Sequence, residues 1–163
     1  MSQPETKLYI EPFLGYRAWD GRVEHGMGKL FSWVKEPFWP LDVPIEAYCS
    51  LGPEWHLGVP SREKAPAPGC ECGIYAWNRS EILAHYARRL GRYGLVCGEV
   101  YLWGTVLVHE HGWRAQFARP AALWVPPDPA INMEERLEVI ARDYRLPLVA
   151  WPDFAEERKS EPA

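Results

Sequence analysis

No run of about 18 or more consecutive apolar residues occurs in the 163-residue sequence, so no segment reads as a membrane-spanning helix. The opening MSQPETKLYIEPF has neither a basic stretch nor a continuous apolar one, and predicts no secretory signal. Lysine is scarce, five against thirteen arginines, and the formal net charge is -4. Affinity for nucleic acid comes mainly from clustered cations, so a general nucleic-acid binder is not expected, although a local patch stays open. There are only four cysteines. Without an export signal the expected compartment is the reducing cytoplasm, where thiols or metal ligands are favoured over disulfides. The Walker loop, G-x-G-x-x-G and G-x-S-x-G are all missing, which removes the common sequence grounds for a nucleotide-dependent or hydrolytic enzyme.

Tryptophan and proline are abundant, at nine and sixteen residues. A chain of this length suits one hydrophobic core. We therefore read 1–163 as a single domain, with an ordered core at about 9–155 and frayed termini. Between Tyr9 and Val34, aromatic and apolar residues alternate with turn residues, which predicts two or three short strands with Asp20-Gly21 as a hairpin turn. Pro37, Pro40 and Pro44 then predict a structured loop rather than a central strand. Ser80 followed by Ile82, Leu83, Tyr86, Ala87 and Leu90 predicts a helix at about 80–90, stopped near Gly91. A second helix, at about 133–145, opens at Asn132 with Glu135 in the capping-box position, buries Leu137, Ile140, Ala141 and Tyr144, and ends before Pro147.

The strongest β signal lies between these helices. The stretches 96–110 and 113–125 should form a long hairpin turning near His111-Gly112, with Val100, Leu102, Val106 and Val108 inward and Gly104 at a bulge. The expected fold is α+β: a bent antiparallel sheet or small open β-barrel with two packed helices.

Cys49, His56, Cys70 and Cys72 form C-x6-H-x13-C-x-C within 24 residues. Zinc takes four tetrahedral ligands from thiolate and imidazole, and such a set would close its shell. The intervening segment 52–69 holds three glycines and four prolines. It has too few apolar residues to order itself, and a metal could offset that entropy. C-x-C is tighter than the usual zinc spacing, so free thiols or a redox pair stay open. Cys97, alone ahead of an apolar strand, reads as a small core residue rather than a nucleophile. His109-Glu110-His111 lacks the partners of the known H-x-H or H-E-x-x-H sites and reads as a polar turn.

A short echo, Gly15-Tyr16-Arg17-Ala18 and Gly112-Trp113-Arg114-Ala115, places an arginine beside an aromatic twice. Coincidence or shared strand-entry geometry would explain it. So would a surface on which Arg17 and Arg114, with Trp19 and Trp103, hold a small anionic ligand or a protein partner. The first reading of function is therefore a non-catalytic recognition or accessory domain, stabilised by zinc. The alternative is a small enzyme with a pocket around Glu99, His109 and Arg114, for which Cys97 and His85 are weaker candidates. G-Y-R-A-W, the cysteine and histidine ahead of C-x-C-G-I-Y-A, and G-E-V-x-L-W-G followed by G-W-R-A resemble a set of small uncharacterised bacterial and phage proteins. The resemblance covers residues 15 to about 124 and implies no activity.

Overall fold

The computed structural model describes residues 6–8, 11–33, 38–49, 65–92 and 94–152. The described residues form an α+β fold of nine strands in one bent sheet and two helices. In chain order these are β1 (Thr6–Leu8), β2 (Phe13–Glu24), β3 (Met27–Ser32), β4 (Phe38–Trp39), β5 (Ile45–Glu46), β6 (Ile74–Trp77), α1 (Ser80–Arg92), β7 (Leu95–His109), β8 (Gly112–Val125), α2 (Met133–Tyr144) and β9 (Leu148–Ala150). All pairings are antiparallel except that of β9 with β8.

Three long strands organise the sheet. One edge of β7 pairs with β8, and its other edge carries β2 and then β1. The free edge of β8 is shared by β6, β5 and β9, which pair with residues 112–115, 117–118 and 123–125 in turn. β6 also meets β2 at one position, Tyr16 opposite Trp77. β2, β7, β8 and β6 thus close a partial ring, short of a full barrel.

The expected hairpin forms as β7 and β8, with the turn at Glu110-His111. Val100, Leu102 and Val106 are fully buried, but Val108 is 43% exposed and Leu107 is buried instead. The register shifts between Trp103 and Val106, around Gly104 at φ +79°, where β7 carries one more residue than β8, and beyond it both Val106 and Leu107 are buried. A second correction concerns Asp20-Gly21. β2 runs straight through this pair, and the chain turns instead at His25-Gly26, both at positive φ as a two-residue hairpin loop requires. Gly21 serves close packing: a Cβ there would lie 2.5 Å from Val96 Cγ2 and 3.0 Å from Ile140 Cδ1.

The core has two parts, because successive residues on the long strands face opposite ways. Trp19, Val96, Val100, Leu102 and Leu123 join Leu137 and Ile140 of α2 on one face. Ala18, Leu95, Cys97 and Trp124 join Leu83, Ala87 and Leu90 of α1 on the other. Full burial of a side chain such as Leu102 contributes about 1.5–3 kcal/mol. α1 continues through Gly91 to Arg92, and Tyr86 stays exposed beside Trp77. α2 buries the four residues expected of it, but its start differs from a capping box. Asn132 has left-handed backbone angles and its side chain makes no cap bond.

Tyr144 ties α2 to the sheet. Its hydroxyl accepts from the Leu30 amide at 3.0 Å and donates to the Trp39 carbonyl at 2.5 Å. Burial pushes this hydroxyl's pKa up to about 12. Tyr144→Phe removes both of these buried hydrogen bonds, and urea unfolding at neutral pH should show a loss of about 2 kcal/mol. In the parent, an unfolded tyrosine ionises above its ordinary pKa while the folded one holds its proton. Stability present below pH 10 is therefore lost as pH rises towards 12. The variant should lose less over that interval.

Candidate metal centre and adjoining cavity

The cysteine cluster forms where β5 and β6 meet along β8. β5 lies opposite Phe117 and Ala118, and the Ala47 amide donates to the Gln116 carbonyl at 2.7 Å, which carries the chain towards Cys49. β6 begins opposite Ala115, immediately after Cys70, Glu71, Cys72 and Gly73. A tight turn leads into this segment: the Cys70 amide donates to the Ala67 carbonyl at 3.2 Å across Pro68-Gly69. Proline at the second position of a turn and glycine at positive φ at the third are what a type II turn demands, and Gly69 has φ +78°.

The Sγ atoms of Cys49, Cys70 and Cys72 lie within 4.8 Å of one another, close enough to hold one metal ion. Cys49 and Cys70 are 3.6 Å apart. Tetrahedral zinc with Zn–S of about 2.3 Å needs sulfurs about 3.8 Å apart, so the spacing fits coordination and far exceeds a disulfide bond. All three are half-buried. Burial pushes the Cys72 thiol up to about 11, against a lowering contribution from the Ala67 amide, and the neighbouring Cys70 and Cys49 raise it further. Three clustered thiols therefore resist ionising together unless a cation joins them. His56, expected as the fourth ligand, lies outside the described residues.

Arg114 holds the segment in place. Its side chain is buried; Nη1 donates to the carbonyls of Cys70 and of Cys72, the latter at 3.0 Å, and Nε donates to His109 Nε2 at 2.9 Å. The guanidinium also lies over the Tyr75 ring, 5.7 Å from its centroid. Burial, and then the Arg114 charge, lower the pKa of His109. The imidazole is therefore neutral at neutral pH and accepts through Nε2.

The echoed segments prove to be the two neighbours of β6: Trp77 pairs with Tyr16 on one side and with Gly112 on the other. Arg17 grips β6 from the β2 side. Its Nη1 donates to the Tyr75 carbonyl, its Nη2 donates to Ser32 Oγ at 3.2 Å, and its guanidinium lies over Trp39 at 5.2 Å. Arg17 keeps some accessible surface, yet Nε is wholly enclosed and unpaired. Burial lowers its pKa to about 10, which leaves it charged at neutral pH. The two arginines do not share one ligand surface: Arg17 lines a cavity and Arg114 does not.

That cavity, of about 940 Å³, opens between the end of β3, the segment leading to Cys49, β6 and the β7–β8 turn. All three clustered cysteines border it, as do Trp33, Tyr75, Trp77 and Trp113. Trp19 and Trp103 lie elsewhere. Trp19 is fully buried in the core, edge-on to Trp39, and Trp103 stacks on Phe117. Tyr75 and Trp33 were not singled out from the sequence, because an isolated aromatic carries no sign of whether it faces core or cavity.

The residues of the enzyme reading are dispersed. Glu99 stands ten positions before His109 on β7, about 33 Å along the strand, and only His109 and Arg114 touch. Cys97 is buried against α1, and burial pushes its thiol up to about 12, so this residue is not a thiolate near neutral pH. His85 is exposed on α1 against Tyr86, and His111 is exposed in the β7–β8 turn beside Glu110. Among the described residues no helix is long and apolar enough to cross a membrane. No protein-family model, curated protein or solved structure matches the chain.

Proposed function

We propose that this chain is a non-catalytic recognition or accessory domain whose cysteine cluster binds a structural zinc. The observation that carries the reading is the convergence of Cys49, Cys70 and Cys72 from two segments that meet on β8, with spacing suited to tetrahedral zinc. A metal there fastens the chain entering β6 to the chain leaving β5. The walls of the cavity beside it depend on both segments. Arg114 acts as a positioning residue, since it orients the two carbonyls flanking Glu71 rather than reaching the sulfurs. Recognition rather than catalysis is supported by the separation of Glu99 from His109 and by the protonated, enclosed state of Cys97.

Elemental analysis of the purified protein tests the proposal. About one zinc per chain is expected, falling to none when all three cysteines are replaced by serine. A metal-free chain that keeps its full thermal stability would end the reading.

A further inference from the structure

We infer that the 940 Å³ cavity is the recognition site itself, and that it takes a small ligand with a flat apolar body and one anionic group, anchored by Arg17. The inference rests on the recognition reading above and adds the class of ligand. A buried cation normally has a carboxylate partner, because removing an unpaired charge from water is costly. Arg17 has none among the described residues: its bonds go to one carbonyl and one hydroxyl. Two of its five N–H groups are used, and the enclosed Nε–H has no acceptor. Arg17 itself lines the cavity, beside the Tyr75 and Ser32 that hold its guanidinium.

The remaining chemistry of the cavity fits a flat body. Trp33, Trp77 and Trp113 supply aromatic surface, and a volume of this size is typical of small-molecule sites. Glu46, Glu71 and Glu110 also border the cavity, but all three are exposed at its rim. Water screens their charge, whereas Arg17 sits where screening is weak. An anion that reaches it gains a charge-assisted contact with a cation that has no carboxylate partner among the described residues. A neutral analogue gains only the aromatic burial.

The test compares 2-naphthoate with 2-naphthamide, which share shape and differ in charge, by calorimetric titration of the purified, metal-containing protein. Naphthoate should bind at least about tenfold more tightly, and Arg17→Met should abolish that preference. Arg17→Lys should restore part of it. The unaltered protein provides a check independent of any folding defect in the variants: naphthoate, but not naphthamide, should shift the Arg17 Nε–H resonance. Equal affinity for both probes, a preference that survives Arg17→Met, or no binding of either at millimolar concentration would overturn the proposal. Zinc measured on the same samples separates the two claims. Failure of the ligand with zinc present removes only the ligand site, and binding without zinc removes only the metal.

Discussion

Cys70→Ser is expected to strip the chain of its metal and to lower its melting temperature by about 10 °C. In zinc-finger peptides the metal supplies about 10–16 kcal/mol of apparent binding energy, because nothing else holds the fold together. Here the two helix-covered core clusters would persist without metal, so only the ordering of the β5–β6 junction is at stake. We set that share on the order of 3–5 kcal/mol, and each kcal/mol moves the midpoint by about 2–4 °C in a chain of this size. A chelator should lower the parent to the same midpoint and leave the variant where it is. Cys97→Ser is the control: it buries a hydroxyl beneath α1 and costs stability, but its metal content should match the parent. Equal response of Cys70→Ser and parent to chelator would show that the thiols hold no ion.

The second large effect should come from Arg114→Leu, through a different route. Leucine fills part of the space but leaves the Cys70 and Cys72 carbonyls and His109 Nε2 without their donor. Each stranded acceptor costs about 1–3 kcal/mol where water cannot replace the bond, so a loss on the order of 3 kcal/mol is expected in denaturant unfolding. Zinc affinity, read by competition with a chromophoric chelator, should also fall by about 10- to 100-fold, as for other residues that orient ligands from behind. Arg114→Lys should recover little, since a single ammonium cannot present the fork that reaches all three acceptors. An unfolding curve shifted without any change in zinc affinity would make Arg114 a packing residue only.

How far the fold could be read from the chain depended on how many meanings each residue type carries. Val100 and Leu102 alternate with polar or half-buried neighbours, and the long hairpin followed from that alone. Val106, beyond the Gly104 bulge, keeps the pattern, and Val108 departs from it one residue from the end of β7, beside the exposed Glu110-His111 turn. Asp20-Gly21 and His25-Gly26 look alike as turn signals. The choice between them is made by α2, whose Ile140 fills the space above Gly21, and that contact joins residues far apart in sequence. β6 is only Ile74-Tyr75-Ala76-Trp77, too short for periodicity to show, yet it lies between both echoed segments and links the cysteines to the cavity.

The site was legible to the extent that cysteine is rare. Three of the four cysteines could be grouped by spacing, and the Pro68-Gly69 pair could have marked the turn that presents Cys70. The roles of the arginines were not legible. The same Gly-aromatic-Arg-Ala pattern puts Arg114 behind the Cys70–Cys72 segment and Arg17 at the cavity wall, because the two strands approach β6 from opposite sides. Trp19 and Trp103 drew attention as tryptophans, but burial decides their part: one fills the core and the other stacks on Phe117.

X-ray absorption at the zinc edge, recorded on protein purified without added metal, tests the central claim most directly. The account predicts a shell of three sulfurs at about 2.3 Å completed by one lighter atom at about 2.0 Å. Bound zinc with a shell of nitrogen and oxygen only, or no zinc in a fully folded chain, would contradict it.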